Sequence, residues 1–320
     1  MAKENSIRLY GQILVEPAIH SDNDGHVTNG HFILKIWRRA NGNNRFFDNY
    51  SYDCPVIMSR NPDKLKVMAS LRAGDMILID GVICSRPMNK ISHCEYCQQQ
   101  NENVGLIVWI EPIMIMPIER NLSESDGNER LQNYTEISNK GFVIGRLCKD
   151  PEMYTDTKEN RTIRITQYLL CVERHYRIKE DEAERKSDYF WVKTYGEQAE
   201  TDYECLSKGS YVYINGALQT RNITMLKTCA HCGKEYQVKE SVTEIVPYSV
   251  EYLENWDRPT LDNDEPSPTE DNQETTTKEE VNNNETINEE GNNDTNNEDD
   301  EDNEVVLKGS TTFSDILSSS

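Results

Sequence analysis

No stretch of this 320-residue sequence is apolar for long enough to cross a membrane. A spanning helix needs about 20 predominantly apolar residues. The longest apolar stretch, Gly105 to Ile118, is interrupted by Glu111 and by two prolines. The chain opens Met-Ala-Lys-Glu-Asn, without the apolar core of a secretory signal. Nine cysteines, an odd number with no export signal, argue against a disulfide framework and for free thiols or metal ligands. Catalytic motifs are missing as well: there is no glycine-rich phosphate loop, nucleophile elbow or His-Glu-x-x-His. His20, His26, His31 and His175 stand apart from one another, as surface or packing histidines do. What is left is a soluble, cytoplasmic binding protein, not an enzyme, with room for about two domains.

Positive charge is scarce at one end. Asp257 to Ser320 hold 20 acidic and three basic residues, leaving 36 acidic against 31 basic in residues 1–256. Most of the formal net charge of −22 therefore sits in that last segment. Rich in Asn, Glu, Asp and Thr and nearly free of aromatics, it cannot bury enough apolar surface to offset chain entropy, and disorder is expected. Apolar residues return near its end, first at Val305 to Leu307 and then in Phe313-Ser-Asp-Ile-Leu. Phe313, Ile316 and Leu317 on an acidic tether read as a docking peptide for a partner protein.

The body repeats itself. Tyr10-Gly-Gln-Ile-Leu-Val-Glu-Pro17 aligns with Ile144-Gly-Arg-Leu-Cys-Lys-Asp-Pro151 at an offset of 134. Leu71 to Gly81 aligns with Leu206 to Gly216, and Cys94-Glu-Tyr-Cys97 with Cys229-Ala-His-Cys232, both at 135. Three separated matches at one spacing mean two copies of one domain, residues 1–120 and 139–256, joined by a polar linker over 121–138 and followed by the tail, 257–320. In the second copy, strands are expected over Gly141–Leu147, Thr166–Val172, Ser187–Tyr195, Ser210–Ala217 and Val242–Tyr252. A helix over Glu197–Lys208 lies between the third and fourth, with Gly209 as its left-handed cap. Five strands with one short helix there make an all-β, five-stranded oligonucleotide-binding (OB) barrel, so the chain reads as two tandem OB folds.

Four segments carry a resemblance: Gly145-Arg-Leu-Cys-Lys-Asp-Pro-Glu152, Leu170-Cys-Val-Glu-Arg-His-Tyr176, Tyr189-Phe-Trp-Val-Lys-Thr-Tyr-Gly196 and Lys208-Gly-Ser-Tyr-Val-Tyr-Ile-Asn-Gly-Ala-Leu-Gln-Thr-Arg221. Together they resemble the bacterial single-stranded DNA-binding protein family over residues 138–253, and the first copy joins through the repeat. The resemblance implies binding of single-stranded DNA without strong sequence preference, in replication, repair, recombination or mobile-element transfer. It also implies recruitment of replication or repair proteins through the acidic tail. The family's working unit has four OB domains, which implies a homodimer here. Where the family's tail stops at Pro-Phe, this one reads Ile316-Leu317 followed by serines.

Such binding needs flat faces for bases and cations for phosphates. Alternation along the third strand puts Tyr189, Trp191, Lys193 and Tyr195 on one face and Phe190, Val192 and Thr194 on the other. By resemblance, Tyr189, Tyr195 and Tyr176 are base-stacking positions, with Arg174, Arg177, Lys179 and Arg221 supplying charge. In the first copy, Trp37, Arg38 and Arg39 sit at the matching strand end, with Tyr50 and Tyr52 on one face of the third strand.

Each Cys-x2-Cys pair offers two thiolates where zinc wants four ligands. A pseudo-twofold packing of the copies would bring Cys94, Cys97, Cys229 and Cys232 to one shared site. Alternatively each hairpin recruits local ligands, Cys84 or His93 in the first copy and His231 in the second, or the pairs carry no metal. Cys54, Cys148, Cys171 and Cys205 are expected as small buried hydrophobes. Two rival functions remain open: an OB-fold protein adaptor, suggested by the weak first copy and acidic body, and single-stranded RNA binding.

Overall fold

The computed structural model describes residues 3–39, 52–158, 161–174, 176, 187–254 and 306–307. Tyr50, Arg177, Lys179, Phe313, Ile316, Leu317 and the body of the acidic tail lie outside the described residues.

The first copy comprises β1 (Asn5–Ile13), β2 (Ala18–Ser21), β3 (Val27–Trp37), β4 (Tyr52–Asp53), β5 (Val56–Ser59), α1 (Pro62–Ala69), β6 (Met76–His93) and β7 (Gln100–Glu119). Helices α2 (Glu124–Asn133) and α3 (Thr135–Ser138) follow. The second copy comprises β8 (Asn139–Leu147), β9 (Glu152–Lys158), β10 (Arg161–Glu173), β11 (Ser187–Tyr195), α4 (Glu197–Cys205), β12 (Tyr211–Thr228) and β13 (Glu235–Glu254). Val306–Leu307 form β14, parallel to β12 at Thr224 and Met225.

Each copy closes on itself. β1 pairs with β6 and β3, β6 with β7, β3 with β5, and β5 meets β7 in parallel at Ile57 and Ile110. The second ring runs β8–β12–β13–β11–β10–β8, with Val192 and Ile245 at the parallel contact. Closure removes the free edges that an open sheet would expose. The tight curvature at the first strand explains the repeated glycine. A Cβ on Gly11 would lie 2.6 Å from the Lys35 carbonyl oxygen, and one on Gly145 2.7 Å from that of Cys171.

The barrels join through β1 and β8, antiparallel, with Ile7 opposite Gly141. Those two positions are equivalents in the repeat, so a local twofold passes between them. It shows in side chains: Asn5 bonds both backbone groups of Ile83, and its equivalent Asn139 bonds both of Leu218. One apolar core then runs through both barrels, from Phe32 and Leu34 to Phe190 and Val192.

Several expectations are amended. The helix ends at Cys205, not Lys208, because Leu206 turns extended and is fully buried; Gly209, at φ +90°, serves the turn into β12 instead of capping the helix. The fourth and fifth strands extend far beyond the barrel as hairpin arms, and β9, pairing with β10, was not foreseen. In the first copy the third strand is split into β4 and β5 at Cys54-Pro55, where proline has no N–H for the ladder and β11 has Phe190 instead. Cys54 and Cys205 are exposed and Cys148 and Cys171 half-buried, so none of these four is a fully buried hydrophobe. The linker is helical. Asn121 takes a positive φ, Ser123 caps α2 by accepting from the Asp126 N–H, and Leu131 is buried.

Candidate nucleic-acid interface and thiol cluster

Alternation in β11 is as the sequence requires: Phe190, Val192 and Thr194 point into the barrel, and Tyr189 and Trp191 lie half-buried on its outside. Across the strands, Trp191 stands opposite Leu169, whose carbonyl accepts from the Cys148 N–H, and Tyr189 stands opposite Cys171 and, beyond it, Arg146. Lys149, directly after Cys148, holds its ammonium 5.0 Å over the Trp191 ring while pairing with Glu152, and Arg146 lies 4.6 Å over Tyr211 while pairing with Glu254 at 2.8 Å. Burial, then the nearby Cys171, pushes the Tyr189 hydroxyl up to about 12, so it stays a neutral donor at physiological pH. Lys149, Arg146 and Tyr211 were not singled out from sequence, although Arg146 and Lys149 occupy the Gly-Arg-Leu-Cys-Lys-Asp-Pro motif.

The far end of this face is covered. Lys193 is 4% and Tyr195 9% exposed, packed beneath Tyr154 of β9 and beside Arg221 and Glu244. Burial alone would raise the Glu244 carboxyl; the Arg221 guanidinium, 2.6 Å away, and then Lys193 hold it below the usual range. Arg221 is thus committed to an internal ion pair.

Arg38 and Arg174 are committed too, as mirror images. Arg38 Nε donates to Asp53 at 2.8 Å, and the other Asp53 oxygen accepts the Thr220 N–H from the second copy. Arg174 Nε donates to Asp188 at 2.7 Å, and Asp188 accepts the Ser85 N–H from the first copy. The Thr220 and Ser85 hydroxyls complete the exchange by accepting from the Cys54 and Tyr189 N–H groups. These buried pairs clasp one barrel to the other. Tyr176, beyond Arg174, packs on Val82, Cys84 and Trp109 of the first copy.

The first copy's aromatic group meets the linker. Trp37 and Tyr52 make an edge-on pair at 4.7 Å, with the Lys35 ammonium 4.3 Å over Tyr52. Lys35 is bound at 2.9 Å by Glu124 of α2, Trp37 donates its backbone N–H to Ser138, and both rings pack against the cluster of Tyr10, Met76 and Leu131. Arg39 is exposed and pairs with Glu136.

At the tips of the two hairpin arms, Cys94, Cys97, Cys229 and Cys232 come together, their sulfurs all within 4.8 Å of one another. Cys94 and Cys232 are 3.7 Å apart and Cys97 and Cys229 3.6 Å. Gln98 and Gly233, at repeat-equivalent positions, take positive φ of 59° and 70° to turn each knuckle. Burial disfavours the Cys229 thiolate, but backbone N–H groups of Cys232 and His231 and the Asn101 amide bring it down to about 6. Cys84 lies in a separate apolar cluster, and His231 bonds the Gln100 carbonyl, so among the described residues the four cysteines alone form the set. Four thiolates so close repel unless a cation sits among them. A tetrahedral ion with metal–sulfur bonds of about 2.3 Å places its sulfurs about 3.8 Å apart, so donor set and spacing both fit.

Residues 138–253 match a model of the single-strand binding protein family. The chain is similar to single-stranded DNA-binding protein 1 of Staphylococcus aureus, 33% identical over 116 residues, which are 36% of this chain and 65% of the relative. It is also similar to single-stranded DNA-binding protein 2 of Staphylococcus aureus, 34% identical over 116 residues, covering 36% of this chain and 72% of that one. The chain therefore spans 65% of the length of the first relative. A solved deletion mutant of the single-stranded DNA binding protein from Thermus aquaticus aligns over 81% of this chain and 100% of its own, at 16% identity and a TM-score of 0.49. At 34% identity to a relative matched over 72% of its length, the chain belongs to the bacterial single-stranded DNA-binding protein family.

Proposed function

We propose that this protein coats single-stranded DNA without strong sequence preference. Bases stack on Trp191 and Tyr189, while Lys149 and Arg146 contact phosphates. The carrying observation is the Lys149 ammonium 5.0 Å over Trp191, with Tyr189 two residues away on the same outer face. A ring with a cation on it offers a base its face and a phosphate its charge, and base–aromatic stacking contributes about 1–3 kcal/mol per base whatever the base. Arg38, Arg174 and Arg221, spent on buried carboxylates, hold the surface in shape and leave the phosphate contacts to others. Arg177, outside the described residues, belongs to the remainder of the strand's path in this reading.

The four cysteines hold one structural zinc ion per chain, fastening the two hairpin arms to each other. Two chains form a homodimer with four barrels. The acidic segment recruits replication or repair proteins through Phe313, Ile316 and Leu317, placing the protein in replication, repair, recombination or mobile-element transfer.

Titration of the full chain with oligo-dT, followed by tryptophan emission, tests the DNA reading. Quenching is expected, with log affinity falling against log salt by about 0.7 for each phosphate contacted. Absence of salt-sensitive binding would sink it. A matched RNA strand that binds as tightly would favour RNA as the ligand.

A further inference from the structure

We infer that each chain takes up single-stranded DNA on its second barrel alone, because the matching row of the first barrel has neither ring nor cation and the linker answers the first barrel's Trp37–Tyr52–Lys35 group. The inference rests on the DNA-binding reading above and says where, within one chain, the strand lies.

The repeat allows the two outer faces to be compared position by position. In the second barrel the central row runs Cys148, Leu169, Trp191, with Lys149 over the ring. In the first, the same row is Leu14, whose N–H donates to Ile33, then Ile33 and Val56 across the β3–β5 pairing. Lys149 corresponds to Val15, Trp191 to Val56, Lys193 to Met58 and Tyr189 to Cys54. Leu14 is 39%, Val15 54% and Val56 37% exposed. This surface is open to solvent but at these positions has neither ring nor cation where the second barrel has both.

The first barrel does have a stacking pair with a cation, one turn of the face away. Trp37, Tyr52 and Lys35 would suit a nucleotide, and the chain's own linker meets this group, through Glu124 on Lys35 and Ser138 on the Trp37 backbone N–H. Glu124 of α2 stands where a phosphate would meet Lys35, at 2.9 Å, and both rings pack against the cluster that holds Leu131 of α2. Helix α2 is well held. Gln12 reaches the carbonyls of Leu122 and Ser123, and Arg130 pairs with Glu119. An acid on Lys35 and an apolar cluster against the rings satisfy the same needs as a nucleotide, without the entropic cost of bringing in a second molecule.

The test uses the full chain and oligo-dT of about 12 nucleotides, a length one OB fold can hold. Titrated well above the dissociation constant, quenching should saturate at one strand per chain. Lys149→Glu, at a half-buried position outside the apolar core, removes the cation over Trp191 and its pairing with Glu152 and should weaken binding at least about tenfold, whereas Val56→Glu should change it less than about twofold. Hydrogen exchange should slow over 187–195 on DNA binding and stay unchanged over 124–133. Saturation at two strands per chain, equal losses from both variants, or loss of protection in α2 on adding DNA would each overturn the inference while leaving the DNA-binding reading intact. No binding by the unaltered chain would overturn both.

Discussion

Glu111 is a carboxyl group buried where its repeat partner, Val246, is apolar. It accepts a 2.6 Å hydrogen bond from Ser59, yet burial dominates and pushes it from the ordinary 4.5 up to about 7. The unfolded chain gives up this proton near the ordinary value and the folded chain only near 7. Between the two, the folded state binds more protons, so stability falls as pH rises, by up to about 3 kcal/mol in all. Urea unfolding between pH 4.5 and 7.5 should show this decline, and Glu111→Gln should flatten it. A variant with the unaltered slope would assign the dependence to another group. The charges beside the barrels were legible at this scale only as residue types. Arg38, Arg174 and Arg221 read as phosphate ligands because a sequence displays cations but not their partners. Asp53 and Asp188, also 135 apart, held the clue that these charges were already answered.

At the scale of elements, β11 is where local pattern and structure coincide, since alternation decides the faces of a strand whatever packs on them. The linker is the opposite case. Residues 121–138 are polar in composition, and an amphipathic stripe of Leu122 and Leu131 is too thin to announce a helix. Its stability comes from the surface it meets. Gly127 shows how closely: a Cβ there would come within 2.2 Å of the Gln12 side chain, itself tied to the carbonyls of Gly74, Leu122 and Ser123. Gly127→Val should therefore destabilise the chain by about 1–3 kcal/mol in thermal unfolding, with affinity for single strands changed less than about twofold. Unaltered stability would mean that α2 is not docked as described.

For the whole molecule the decisive feature is that the repeat folds back on itself about the β1–β8 pairing, so each hairpin arm ends beside the other. That makes one four-thiolate site out of two incomplete pairs. Purified protein should carry one zinc per chain, measured alongside its mass in solution, which should be that of a dimer. Chelation should lower the melting temperature, and Cys229→Ser should abolish the metal and the effect of the chelator together. Two zinc ions per chain would point to separate sites, and none would remove the ion from the account.

The amino-acid order alone determined the two barrels, the alternation of the third strand and the repetition of the Cys-x2-Cys knuckle, because each depends on local periodicity or on similarity between segments of one chain. Which cations remain available, what lies over the first barrel's aromatics, and how close the four sulfurs come were decided only by tertiary structure. Those properties depend on residues more than a hundred positions apart meeting across a twofold, and no local pattern encodes the distance between them.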